Sequence, residues 1–353
     1  MRGTQPATAV SLAEYTTLRV GGPAAQMITV DSEGDLVAVL ADLHATGEPV
    51  LILGGGSNLL VGDDGFAGTV VKIDIRGVET DLEACSGAVV KVAAGEPWDE
   101  LVGHTVAQGW SGLEALSGIP GLTGATPIQN VGAYGAEVSE VISQVRTLDR
   151  QTGRLRTFFP VECGFDYRTS RFKHPAGADW PGRYVVLSVT FQLRLGLLSA
   201  AVRYPELART LGITVGERAP TVDVRGAVLD LRRSKGMVLA DDDHDTWSAG
   251  SFFTNPVLTA EEAAGLPPAA PRFPRPGGRV KTSAAWLIEA AGFAKGYGIG
   301  AARLSGKHTL AVTNRGQARA DDLLALAREV RAGVRERFGI TLVPEPVLVG
   351  CEL

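Results

Sequence analysis

Two stretches of this chain are rich in glycine yet too apolar to be linkers: Gly54-Gly55-Gly56-Ser57-Asn58, directly after the apolar run Val50–Leu53, and the longer segment from Gly118 to Gly135. Glycine admits positive φ and leaves backbone N–H groups uncovered, so an anionic ligand can approach them closely. Pro120 and Pro127 remove freedom that such a loop would otherwise lose on ordering. Two ordered, amide-rich loops suit a large phosphate-bearing cofactor.

The common nucleotide and hydrolase motifs do not explain these loops. Gly54 to Leu59 meets only the start of G-x-G-x-x-G, and Gly62 and Gly65 close behind forbid the helix that a Rossmann phosphate site requires. Ser305-Gly306-Lys307-His308 resembles the tail of a P-loop, but Ala301 stands where the first glycine belongs and no Ser or Thr follows the lysine. No serine lies in G-x-S-x-G. The run Asp241-Asp242-Asp243-His244-Asp245 could ligate a hard cation, but such runs are most often solvated loops, and no metal site is expected. His44, His104 and His174 have no partner at ligand spacing.

The elements that must position the loops follow from the apolar pattern. With 353 residues, 45% of them hydrophobic, the chain can bury a sizeable core and divide into two or three units. A net charge of −5 without a basic run gives nucleic acid no point of attachment. No apolar run approaches the roughly 20 residues that span a bilayer, and residues 1–10 lack a signal pattern, so a cytoplasmic protein is expected. Cys85, Cys163 and Cys351 are odd in number and widely spaced, as free buried thiols would be.

Helical spacing predicts helices over residues 35–47, 98–108, 221–233, 282–294 and 320–338. Strands are predicted at 50–53, 69–73 and 88–93, then a hairpin of 145–148 with 155–158, then a long strand over 184–194. The Pro-rich stretch from Pro267 to Gly278 reads as a stiff connector or edge. The fold class is α+β, with a first domain over 14–196 and a second over 197–353.

Six ordered motifs then agree with one family. They are Thr17–Gly22, Leu53–Leu59, Ile119–Gly135, Gly164–Ser170 with Phe172-Lys173-His174, Ala249–Pro256 and Leu342–Gly350. In these motifs the chain resembles the UDP-N-acetylenolpyruvoylglucosamine reductases over nearly its whole length, and its Tyr204 segment resembles their type I branch. The resemblance implies a two-lobed FAD-binding domain of the vanillyl-alcohol oxidase (PCMH) type, then a smaller α/β substrate-binding domain. It also implies NADPH as hydride donor and an enolpyruvyl ether of UDP-N-acetylglucosamine as acceptor. Hydride should enter the terminal CH₂ of that group, because only then does the charge formed on the adjacent carbon delocalise into the carboxylate. The resulting enolate needs a cationic partner and a proton donor.

By the resemblance, Arg168 clamps the substrate carboxylate, Ser251 protonates the enolate and Glu345 is the catalytic glutamate. Taken alone, Arg168 would be a surface ion pair and Ser251 a turn residue. Many relatives read Leu-Glu-Pro-Glu-Val where this chain reads Leu342-Val343-Pro344-Glu345-Pro346, so Glu345 alone can fill the role. Tyr204 matches a mobile tyrosine covering the UDP end, and Lys235, Asn255 and His308 match contacts to the pyrophosphate region. For FAD the matching positions are Arg19, Gly54, Gly55, Gly56, Ser57, Asn58, Pro120, Gly121, Gly124, Asn130, Gly132, Ala133, Tyr134 and Arg232. Neither loop holds a His or Cys, so the flavin should be bound non-covalently. The extra residues between Lys235 and Ser251 fall in the acidic run, which reads as a loop insertion. Two other readings of the residues are an FAD-dependent sugar or hydroxy-acid oxidase of the same fold and a non-enzymatic nucleotide-binding module.

Overall fold

The computed structural model describes residues 6–83, 87–173 and 182–353; Cys85 and His174 lie outside them. The chain forms two compact units that alternate along the sequence. The first comprises Ala25–Gly55 and Ala67–Arg233 with the residues before Val10, and the second comprises Val10–Ala24, Gly56–Phe66 and Ser234–Leu353.

The boundary expected at 196/197 falls instead at 233/234. Residues 197–233 build a small apolar cluster from Val202, Leu207, Ala208, Ala219, Val224 and Val228, and Tyr134 of the first unit packs on it. Tyr204 and Arg232 therefore belong to the first unit. Arg19 and Gly56–Asn58 belong to the second, where Leu18, Val20 and Leu60 join the core and Leu59–Val61 pairs in parallel with Val347–Val349.

Two larger sheets build the first unit. In one, four strands run in the order Ala7–Ser11, Pro23–Val30, Phe66–Ile73, Val50–Leu53, the last two parallel with Val50 opposite Thr69. The helix Glu33–Thr46 covers this part of the core with Leu36, Leu40 and Leu43. It starts two residues before the predicted Asp35 because Ser32 is its N-cap, the Ser32 hydroxyl accepting from Asp35 N at 3.1 Å. Gly47, at φ +69, ends it.

The other sheet is antiparallel, in the order Arg154–Phe158, Ile142–Asp149, Tyr184–Leu195, Gly87–Ala93, Val78–Glu83, with Trp110–Ser111 pairing the end of the long strand. The predicted hairpin is present, with Val145 opposite Phe158. The long strand lies between two neighbours, so Tyr184, Val186 and Ser188 are buried along with the alternating Val185, Leu187, Val189 and Phe191.

In the second unit the helix Ala320–Phe338 matches its predicted bounds and buries Leu323, Leu324, Ala327, Val330 and Val334. Asp63 caps it, its two carboxylate oxygens accepting from Ala320 N and Asp321 N at 3.0 and 3.1 Å. The predicted helix over 282–294 is shorter, Ala284–Ala290, because Ser283 caps its start and Gly292 follows at φ +102. The Pro-rich stretch contains a strand, Phe273–Arg275, at the edge of a three-stranded sheet with Arg279–Lys281 in the middle. Pro274 is tolerated there because an edge strand has one side with no ladder bond to lose. Cys163 is buried, and burial pushes its thiol up to about 12. No helix among the described residues is long and apolar enough to cross a membrane.

Candidate active site

In the first unit the Gly118–Gly135 segment is an ordered series of short turns. The first turn of the Trp98–Ala107 helix grips its start at three points: Trp98 Nε1 donates to Leu116 O at 3.0 Å, Gly118 N to an Asp99 carboxylate oxygen at 2.5 Å, and Trp98 N to Gly121 O at 3.0 Å. Gly124 N donates to Ala94 O at 2.9 Å, and a Cβ on Gly124 would lie 2.5 Å from that of Ala94. A single helical turn, Thr126–Gln129, starts with Pro127 in place and ends at Asn130 in the left-handed region, φ 42. Asn130 is buried and its side chain supports that conformation, Nδ2 donating to Glu137 and to Asp166 O at 3.0 Å each while Oδ1 accepts from Ser139 N.

Next comes a hairpin, Gly132–Ala133 with Ala136–Glu137, closed by Tyr134 and Gly135 at φ 49 and 82. Positive φ at both central residues is the type I′ turn that suits the twist of paired strands. Burial raises the Tyr134 hydroxyl to about 12, against the nearby Arg232 charge. Its ring meets that of Tyr204 edge-on, centroids 5.5 Å apart, and Tyr204 caps the helix Pro205–Leu211.

Arg168 stands at the tip of a tight turn in which Asp166 and Thr169 exchange backbone bonds, and its own φ is 55. Its Nη2 donates to Gly132 O at 2.7 Å, which ties the turn to the hairpin. Arg232, near the end of the helix Thr221–Ser234, is pushed down to about 10, first by burial and further by the charge of Arg168, with Tyr134 and Asp99 opposing. Burial and the Arg168 charge both disfavour the charged form of Arg232, so this corner is suited to an anion.

The second unit brings Ser251 and Glu345 onto adjacent backbone. Glu345 N donates to Phe252 O at 2.8 Å, Thr254 N to Val343 O at 3.0 Å, and Phe253 bridges Pro344. The neighbouring Pro346 is buried and leaves the Glu345 N–H in that ladder. Asn58 joins from the other side: Val347 N donates to Asn58 O at 2.9 Å and Asn58 Nδ2 to Glu345 O at 3.4 Å. Asn255 Oδ1 accepts from Ala284 N at 2.9 Å at the start of a helix, and His308 Nδ1 accepts from Leu310 N at 3.1 Å. Lys235 follows the Thr221–Ser234 helix directly and is half-buried.

Arg19, at φ 53, has its guanidinium 4.2 Å from the Trp247 ring and pairs with Asp241; Asn314 Nδ2 donates to Leu18 O and Arg19 O. The acidic run is thus not the solvated loop that its composition predicts. Asp243 pairs with Lys307 at 2.5 Å, and Asp245 pairs with Arg315 at 2.7 Å while accepting from Gly306 N at 2.8 Å. The acidic run is a strap fixed by cations distant in sequence, so composition alone misses its partners, as it misses Asp99, Glu137 and Asn314. The one local signal was Asp99 in a helical first turn, where an acidic residue faces free N–H groups.

The first glycine loop also bears on whether a flavin fits. Gly55 and Gly56 are explained by the protein itself: a Cβ at Gly55 would lie 2.8 Å from Gly121 Cα, and one at Gly56, whose φ is +58, would lie 1.8 Å from Tyr15 O. Gly54 is not. Its φ lies outside the left-handed region, and a Cβ there would make only ordinary contact, 3.8 Å from Leu122 Cδ1. A bare residue at this position is compatible with a ligand pressed against the backbone.

Comparison with known proteins agrees in both halves. Residues 24–158 match the model of an FAD binding domain, and residues 242–349 match that of the UDP-N-acetylenolpyruvoylglucosamine reductase C-terminal domain. The chain is 54% identical over 347 residues to the UDP-N-acetylenolpyruvoylglucosamine reductase of Cutibacterium acnes, spanning 98% of this chain and 90% of that one. With the enzyme of the same name from Nocardia farcinica it shares 56% over 356 residues, again 98% and 90% of the two chains. The crystal structure of the Thermus caldophilus reductase superposes with a TM-score of 0.65 over 98% of each chain, at 27% identity. Two domain models in the right order and similarity sustained from end to end make this chain a member of the UDP-N-acetylenolpyruvoylglucosamine reductase family.

Proposed function

We propose that this chain catalyses the NADPH-dependent, FAD-mediated reduction of UDP-N-acetyl-3-O-(1-carboxyvinyl)glucosamine to UDP-N-acetylmuramate, a step of peptidoglycan precursor synthesis in the cytoplasm. The observation that carries this is family membership over 98% of the chain. Bound FAD supplies the two-electron relay between NADPH and the substrate. Gly54 to Asn58, Pro120, Gly121, Gly124, the Asn130–Tyr134 turn, Arg19 and Arg232 would hold it, without a covalent link.

The chain's own residues divide the remaining work. Arg168 binds the substrate carboxylate, and its planar fork strengthens that bond as the carboxylate takes up enolate charge. The Ser251 hydroxyl gives its proton to the carbon next to the carboxylate, and Glu345, on the adjoining segment, is the carboxylate of the site. Tyr204, Lys235, Asn255 and His308 hold the UDP end. Because His308 Nδ1 already accepts from Leu310 N, the neutral ring carries its proton on Nε2, the tautomer that donates to a phosphate oxygen.

The test is turnover. The purified protein should be yellow, should oxidise NADPH rapidly only when the enolpyruvyl sugar nucleotide is present, and should yield one product heavier by two hydrogens. Yellow protein that passes hydride to oxygen but never to the sugar nucleotide would overturn the reading in favour of an oxidase.

A further inference from the structure

Asp99 lies in neither glycine loop, yet it has two partners that both lead toward the flavin positions. Its Oδ1 accepts from Gly118 N at 2.5 Å, next to the Trp98 N bond to Gly121 O, so one helical turn grips both ends of Gly118–Gly121. The same carboxylate takes a two-point bond from Arg225, at 2.6 and 2.9 Å. Arg225 is on the helix that carries Arg232, seven residues and two turns earlier on the same face.

Gly103 supplies an independent observation. It is four residues after Asp99 on the same helix face, and a Cβ there would lie 3.3 Å from Arg225 Nη2 and 3.6 Å from its Cζ. A glycine inside a helix is unfavourable by about 1 kcal/mol relative to alanine. Here it leaves bare backbone beside which the Arg225 guanidinium comes close. The electrostatics agree: burial would raise the Asp99 carboxyl, but its bonds from Arg225 and Gly118 outweigh that and hold it below the usual range.

Resting on the flavin-binding part of the function above, we propose that Asp99, paired with Arg225 on the Gly103 seat, is a positioning residue that keeps the Gly118–Gly124 flavin loop in register with the Arg232 helix. Flavin affinity then depends on a carboxylate that does not touch the flavin. The test compares full-length holoenzymes by the rate of flavin release on dilution, followed as flavin fluorescence, with the Tm of each apoprotein. Asp99→Asn keeps an acceptor for Gly118 N but loses the charged fork, and should release flavin about tenfold faster. Arg225→Gln should do the same, the double variant should be no worse than the worse single one, and Arg225→Lys should fall between. Asp149→Asn, which breaks a comparable ion pair with Arg183 far along the chain in the same unit, should lower Tm without faster release. Wild-type release rates in Asp99→Asn, or equal acceleration by Asp149→Asn for the same loss in Tm, would overturn the proposal. Failure of the wild type to turn over the sugar nucleotide would count against the function instead and leave the release comparison standing.

Discussion

Arg168 and Tyr134 in the first unit stand on backbone that L-residues rarely adopt, at φ 55 and 49, whereas Ser251 and Glu345 in the second stand beside an isolated bridge, Phe253 with Pro344, flanked by main-chain hydrogen bonds. A left-handed side-chain-bearing residue stores about 1–3 kcal/mol and persists only where its neighbours enforce it. Gly132 O does so for Arg168, and the Glu137, Asp166 and Ser139 bonds do so for Asn130 nearby. The first unit therefore holds Arg168 and Asn130 through side-chain bonds, while in the second the backbone beside the proposed reacting groups is tied mainly through main-chain bonds. Substitutions should accordingly remove chemistry cleanly in the second unit and disturb geometry as well in the first.

The largest effect should come from Ser251→Ala. The bond from Glu345 N to Phe252 O beside it is backbone to backbone, so the variant should fold normally and be reduced by NADPH at nearly the wild-type rate. A general acid contributes about 10²–10⁴-fold, so re-oxidation by the enolpyruvyl substrate should slow at least about a hundredfold in anaerobic stopped flow. Equal slowing of both half-reactions would show that the main-chain frame does depend on this side chain. Arg168→Lys is the counterpart in the first unit. It keeps the charge but loses both the fork toward a carboxylate and the bond to Gly132 O, so kcat/KM should fall at least about tenfold. Unlike Ser251→Ala, it should also raise KM, and near-normal kinetics would remove Arg168 from the site.

How much of this was legible in the sequence follows the same division. The helix Ala320–Phe338, the strand Val50–Leu53 and the hairpin around Val145 and Phe158 were visible because their apolar periods are local. The catalytic candidates were visible only through family motifs, since a lone serine or arginine has no spacing signature. What the sequence hid depends on partners far along the chain. The Val202–Val228 cluster moves residues 197–233 into the first unit because its apolar residues pack with Tyr134. The acidic strap finds Arg19, Lys307 and Arg315 across tens to hundreds of residues. The one-turn helix and type I′ hairpin inside the glycine-rich loop were hidden for another reason: elements of two to four residues carry no period.

A smaller effect should sharpen the reading of the glycine loops. Gly54→Ala places a methyl in ordinary contact with Leu122 on compatible backbone, so the protein should be as stable as the wild type, or more so by about 0.4–1 kcal/mol from reduced unfolded-state entropy. Flavin affinity should nevertheless drop several-fold, read by equilibrium dialysis against FAD. Gly56→Ala should instead destabilise the protein outright, because its Cβ would meet Tyr15 O. Unchanged flavin affinity in Gly54→Ala would return that glycine to an incidental one.

The smallest effect compares ion pairs of the two units as a function of pH. Asp149 is held below the usual carboxylate range first by its bond from Arg183, and Asp243 first by its bond from Lys307. A carboxyl whose pKa is lower folded than unfolded stabilises the protein fully above its unfolded value, about 3.9, and that stabilisation is lost as pH falls through the folded value. The Asp149 and Arg183 side chains are only 7% and 15% exposed, against 32% and 38% for Asp243 and Lys307. Asp149→Asn should therefore lower unfolding free energy at pH 7 by about 2 kcal/mol, as expected for a charged hydrogen bond, and Asp243→Asn by under about 1 kcal/mol, as for a screened pair. Both deficits should shrink in urea titrations repeated at progressively lower pH, as the wild-type carboxyls, held below their usual range, take up their protons. A deficit for Asp149→Asn that persists unchanged into acid would mean that the bonds its side chain takes from Gln151 N and the Thr152 hydroxyl, rather than its charge, hold the Asp149–Gly153 turn.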